Sequence, residues 1–177
     1  MDPEKKRALR HFTLSDLGVL HGPPLKGSVI VADVVREALQ TDSAAFFVFD
    51  ALAGEMIVRA ATRQLRVGTT YPLHLSAIAS MTESTDAIAI GDMSKDASEA
   101  GERSVLGMMA ALAAPVLGPD GNPLGALAAL DNKPRAWSEL HKRSLIDLAY
   151  LVTQEITLHA SFRTLEILFA ERKASHS

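Results

Sequence analysis

The chain has 177 residues, of which 47% are hydrophobic and 22% charged, with a formal net charge of −3. Such a composition suits one domain with a sizeable core plus helical extensions, and the bulk charge gives no reason to expect nucleic acid as a partner. There is no cysteine, which excludes disulfides, zinc–thiolate sites and thiol catalysis. No apolar run reaches the roughly 18 residues needed to span a bilayer, so a cytoplasmic protein without membrane insertion is expected.

In chain order, Asp2-Pro3-Glu4 opens a helix, because proline in the first turn gives up only an N–H that has no partner there. The basic run Lys5, Lys6, Arg7 and Arg10 reads as a solvated arm packing on another helix, the alternative being contact with phosphate or an acidic partner. Gly22-Pro23-Pro24 ends it, so residues 1–25 form an N-terminal helical arm. Ser28 is the candidate cap of a helix over Val29–Gln40, with Ile30, Val34, Val35, Ala38 and Leu39 at helical spacing and Asp33, Arg36 and Glu37 toward water.

Ala44–Phe49 is a nearly unbroken run of β-formers and reads as a central strand. Its hairpin partner is Glu55–Ala61, where Met56, Val58 and Ala60 alternate with Ile57 and Arg59. A short helix over Ala77–Met81 and a short strand over Ala87–Ile90 follow, and Ser94–Ser104 is small and polar enough for a loop or short helix. Two apolar runs, Leu112–Leu117 and Leu124–Leu130, flank a Gly-Pro-Asp-Gly-Asn-Pro turn, the strongest short-range hairpin signal in the chain. Asp131-Asn132-Lys133-Pro134-Arg135 breaks the second strand. Ser138 then caps a long amphipathic helix, with Glu139 suited to the positive end of its dipole.

Ala114-Pro115-Val116, Asp120-Gly121, Leu124-Gly125, Leu130-Asp131, Pro134 and Trp137, followed by a helix, resemble the closing half of a GAF domain, a sensory and regulatory module of bacterial signalling proteins. The helix–strand–turn–strand opening is also how that family begins. The resemblance implies an α+β fold, a central antiparallel sheet with helices on one face and a loop-built pocket on the other, spanning residues 26–158. It also implies that segments 76–81 and 92–106 wall the pocket, with ligand contacts from Phe47, Tyr71, His74, Ile78, Asp92, Met93, Met108 and Asp131.

Chemistry narrows the ligand. Family branches that carry a covalent bilin or reduce free methionine sulfoxide depend on cysteines that this chain lacks. Cyclic-nucleotide binders resemble Asn-Lys-x-x-x-Phe-x-x-x-Asp/Glu; here Asn132-Lys133 is present, but Trp137 replaces the phenylalanine and Leu140-His141 the acidic end. The six histidines have no metal-site spacing, and His74 alone in the pocket region speaks against haem. Asp92 and Asp96 could pair as carboxylates, although their Ser-, Asp- and Gly-rich surroundings favour turn formation.

No nucleophile-elbow, phosphate-loop or dinucleotide motif is present, so the expectation is a protein that is not an enzyme. Leu151, Leu158, Phe162, Leu165 and Phe169 follow one helical face, with only Glu155 out of type, and residues 159–177 extend that face beyond the domain. Such a stripe finds a partner helix, most simply in a homodimer, the competing reading being that it folds back on the N-terminal arm. The favoured function is a small-molecule sensor that signals through dimerising helices to a partner or output domain, in a fragment of a signalling protein or a stand-alone regulator. A ligand-free dimerisation scaffold would instead have its pocket filled by side chains. An enzyme would need polar groups converging on Asp92, His74 or Asp131 in one cleft.

Overall fold

The computed structural model describes residues 2–75, 77–95 and 106–175. The elements run α1 (Pro3–Asp16), α2 (Lys26–Leu39), β1 (Ser43–Asp50), β2 (Glu55–Ala61), β3 (Thr70–Pro72), two 3-10 turns (Leu73–Leu75 and Ala77–Thr82), β4 (Ile88–Ile90), β5 (Ala110–Leu117), β6 (Pro123–Asp131) and α3 (Glu139–Ala174). The strands form one six-stranded antiparallel sheet in the order β3-β2-β1-β6-β5-β4.

Every residue of β1 is buried because both faces of this central strand are covered. Successive side chains of a strand point to opposite faces. Ala44, Phe46 and Val48 join a core beneath α1, α2 and α3, and Ala45, Phe47 and Phe49 join a second core on the other face. On β2 the alternation is interrupted. Phe46 pairs with Ala60 but Phe47 pairs with Val58, leaving Arg59 as the extra residue of a bulge. Ala60 therefore faces the helices, not the Met56 and Val58 side as strict alternation predicts. The buried Arg59 donates from Nη2 to the carbonyls of Gly22 and Pro23, at 2.7 and 3.2 Å, tying the Gly-Pro-Pro segment to the sheet.

The β5–β6 hairpin forms on the expected Asp-Gly turn. Gly121 adopts a left-handed φ of 77°, and Asp120 accepts from the Asn122 backbone N–H at 3.0 Å and from its side-chain amide at 2.7 Å. Ser138 caps α3 as predicted. Its hydroxyl accepts the His141 N–H while His141 Nδ1 accepts the Ser138 N–H, satisfying two orphan donors reciprocally. Leu145, Ala149, Val152 and Ile156 are the buried face of α3, and none of its later residues is fully buried.

One helix differs from expectation at its start. α2 begins at Lys26 with Leu25 in the cap position, and Ser28 lies inside the helix, donating to the Leu25 carbonyl at 2.7 Å. Its buried face is Ser28, Val31, Ala32, Val35 and Leu39, leaving Ile30, Val34 and Ala38 exposed. In the N-terminal segment Lys5, Lys6 and Arg7 are exposed, while Arg10 is buried. Leu14, Leu17, Val19 and Leu20 are buried in the helix-side core, and His11 Nδ1 lies 3.0 Å from Asp50 Oδ1, fixing α1 beside the β1–β2 turn.

Candidate functional site

The face of the sheet opposite the helices is where a ligand pocket was expected, and there the described residues pack into a buried apolar cluster. Phe47, Phe49, Met56, Ile78, Met81, Met93 and Met108 are all essentially inaccessible to solvent and belong to one cluster. Of the predicted ligand residues, Phe47, Ile78, Met93 and Met108 are brought together there, with Tyr71 half-buried against them. Burial raises the Tyr71 phenol above its ordinary pKa. Ser76 and residues 96–105, which were expected to contribute to the pocket walls and to supply Asp96, lie outside the described residues.

The two predicted acids have partners of their own. Asp92 accepts from the Ser94 hydroxyl at 2.6 Å and the Ser94 N–H at 3.0 Å, with Lys95 at 3.5 Å. The Ser94 hydroxyl, then its N–H, hold the carboxyl below the usual carboxylate range. This is the turn-forming geometry expected of an Asp in Ser-rich sequence. Asp131 pairs with Arg135 at 2.7 Å. Arg135 also donates to the carbonyls of Gln40, at 2.9 Å, and Leu39, which are orphan acceptors at the end of α2. Its guanidinium lies 4.9 Å from the centre of the Trp137 ring, and Trp137 Nε1 donates to the Ile90 carbonyl at 2.9 Å. The Asp131–Trp137 stretch thus joins β6, α2 and β4.

His74 is exposed and lines a cavity of about 620 Å³ elsewhere, between α1 and the segment carrying the two 3-10 turns. Lys6, Arg7 and Arg10 line it from α1, and Thr82 and Glu83 face them with His74. The signal was available in the sequence, since positions 3, 6, 7 and 10 share one helical face. What the basic run did not reveal is that Arg10 turns inward. Among the described residues no group of three or more His, Asp or Glu is arranged to hold a metal ion. No described helix is long and apolar enough to cross a membrane.

The sequence model of the GAF domain matches residues 29–156. The chain belongs to the GAF family. The match ends at Ile156, the last fully buried position of α3, although Ala160 still packs against the helix-side core and Arg163 lies beside Gly18. Among curated protein sequences, none matches it. Solved structures that it resembles include the GAF domain of a phosphoenolpyruvate-protein phosphotransferase from Coxiella burnetii, at 20% identity and a TM-score of 0.66, covering 93% of this chain and 99% of that one. The blue-light absorbing form of the Thermosynechococcus elongatus PixJ GAF domain is similar at 17% identity and a TM-score of 0.65, covering 94% and 98%. A free methionine-R-sulfoxide reductase from Neisseria meningitidis is similar at 17% identity and a TM-score of 0.64, covering 90% and 93%. At these identities the likeness is one of fold.

Proposed function

We propose that this GAF domain is a regulatory module that acts by pairing with a second copy through α3, and that it does not itself catalyse a reaction. The observation that carries this reading is the stripe Leu151, Leu158, Phe162, Leu165 and Phe169, every member of which is exposed. With Glu155 included, the positions alternate i+4 and i+3 steps, the spacing of a two-helix seam, with leucine at each of one set of seam positions. The competing reading, in which the N-terminal segment covers the stripe, is not supported: the leucines of that segment are buried in the domain core while the stripe stays exposed.

The patch widens at the domain. Gly27 bonds Glu155 at one end of α2, and Arg135, just before α3, bonds the carbonyls at the other end, so the two helices run antiparallel side by side. Ile30 and Val34 lie on the Gly27 side of α2 and are exposed. Two copies packed across this surface bury it in a self-complementary, two-fold interface. A partner or output domain would then read the arrangement of the paired helices, provided a signal favours one arrangement over another. The side-chain-filled sheet face supports the scaffold reading, and the engagement of Asp92 and Asp131 by neighbouring groups supports the absence of catalysis.

A specific observation favours a second reading, small-molecule sensing at the sheet face. Its filling includes Met56, Met81, Met93 and Met108, unbranched side chains that repack readily around a guest. Native mass spectrometry of gently purified protein tests both. The pairing reading expects a dimer that Leu158→Glu with Leu165→Glu converts to a folded monomer, and a wild-type monomer at about 100 μM, or a dimer untouched by the double substitution, overturns it. A stoichiometric small molecule retained by the wild type and lost on Met93→Trp would move the weight to the sensor.

A further inference from the structure

Arg10 is only 8% exposed, yet its Nε and Nη2 have no hydrogen-bond partner among the described residues. A guanidinium stays charged at any physiological pH and carries five donors in a rigid fork. Removing such a group from water without a counter-charge is strongly unfavourable, and native chains rarely leave one that way without a reason. The remedy cannot come from α1 itself, whose neighbouring side chains on this face, Lys6 and Arg7, are also cationic. Across the cavity the only carboxylate among the described lining residues is Glu83, set against three permanent cations. The cavity therefore carries a positive surplus, and Arg10 lies in its wall with Nε and Nη2 sealed from solvent, so an anion in the cavity reaches these donors only when the side chain turns toward it.

Size and lining narrow what would enter. About 620 Å³ lies within the range of small-molecule pockets and exceeds what a lone inorganic ion fills. Leu73 and Pro3 offer apolar contact, while Thr82, His74 and Glu83 can hydrogen-bond hydroxyl or amino groups of an organic body. We propose that this cavity is a binding site for a small organic anion, whose phosphate or carboxylate pairs with Arg10 and is flanked by Lys6 and Arg7. Turning toward the anion gives the buried Arg10 donors the partner they lack, and the Lys6 and Arg7 neighbours raise the local anion concentration. The site is separate from the filled sheet face and does not depend on helix pairing.

The test uses the full chain and two probes, inorganic phosphate and citrate, which distinguish a phosphoryl from a carboxylate ligand. In a ¹H–¹⁵N spectrum of arginine side chains, the Arg10 Nε–H signal is expected to shift saturably with one probe, half-maximally on the order of 1 mM. The same probe is expected to raise the melting temperature of the wild type. Arg10→Met, apolar and of similar length, is expected to melt no lower than the wild type in anion-free buffer and to lose the probe's stabilisation, because the unpaired charge is gone. Lys6→Gln with Arg7→Gln should weaken the response several-fold without abolishing it. The proposal is overturned if neither probe moves the Arg10 signal saturably, if the probe stabilises Arg10→Met as much as the wild type, or if Arg10→Met melts lower than the wild type without anion, since the guanidinium would then have partners within the protein.

Discussion

Glu155 of α3 caps α2 from 128 residues away, its Oε1 accepting the Gly27 backbone N–H at 2.7 Å. α2 has no side-chain cap of its own, so this carboxylate satisfies an orphan donor and lies against the positive end of the helix dipole. The single residue that breaks the apolar stripe of α3 thus has a structural task. Glu155→Ala is expected to cost about 1 kcal/mol, lowering the melting temperature by roughly 3 °C.

Gly27 should behave as the partner of Glu155. A Cβ at position 27 would stand 2.8 Å from the Glu155 carboxyl oxygen and push it aside. Gly27→Ala gains helix propensity but loses the cap, so the Glu155→Ala penalty should largely vanish in its background. Denaturant unfolding of the two single variants and the double variant checks this, and strict additivity would argue against the contact.

Gly125 sits in β6 between β1 and β5, and a Cβ there would come within 2.0 Å of the Phe47 carbonyl oxygen. The obstacle is backbone of a central strand, which cannot swing away. Gly125→Ala is expected to destabilise by about 3 kcal/mol, visible as a lowered denaturant midpoint.

Arg135→Ala should strip partners from the Asp131 carboxylate and from the last carbonyls of α2 together, at a cost of about 2 kcal/mol. Hydrogen exchange would report faster opening of the C-terminal turn of α2. Arg135→Lys keeps the charge but not the fork, and should recover less than half of the loss.

The Asp50 carboxyl gives a pH dependence with a definite sign. Burial alone would raise its pKa, but the Ala53 N–H, His11 and the Leu52 N–H together outweigh burial and leave it lowered. A carboxyl lowered on folding contributes stability above its unfolded pKa of about 3.9, and that contribution is lost as pH falls through the folded value. The stability gap between wild type and Asp50→Asn should therefore be full at neutral pH and shrink on acidification below about pH 4. Melting temperatures across that range check it; a gap that widened in acid would contradict the assignment.

Much of the scaffold was legible because its signals are local. The Asp120-Gly121 turn, the β-formers Ala44–Phe49 and the Ser138 cap each announce an element through neighbouring residues. α2 was misread at its start because its cap comes from another helix, and Ser28 offered a plausible local substitute. The bulge at Arg59 was invisible because a strand one residue too long for its partner looks like any alternating strand. At the candidate sites the limits were also physical. The family resemblance placed Phe47, Met93 and Met108 on one face but could not say how tightly side chains pack there. The basic run of α1 looked solvated because whether Arg10 turns inward depends on what packs beside it.

The strand order has a consequence for how the protein is made. β1 lies between β2, its neighbour in sequence, and β6, which pairs Ser43 with Leu130. As the chain leaves the ribosome, β1 and β2 can form their hairpin at once, but the other edge of β1 waits until β6 has been synthesised. Non-local pairings of this kind are late and leave intermediates open to wrong partners. The waiting edge is the Ala-Ala-Phe-Phe-Val-Phe run, uncharged and rich in β-formers, the kind of segment that recruits identical strands. A chain truncated before Pro123 would leave that edge permanently unpaired and would accumulate as aggregate.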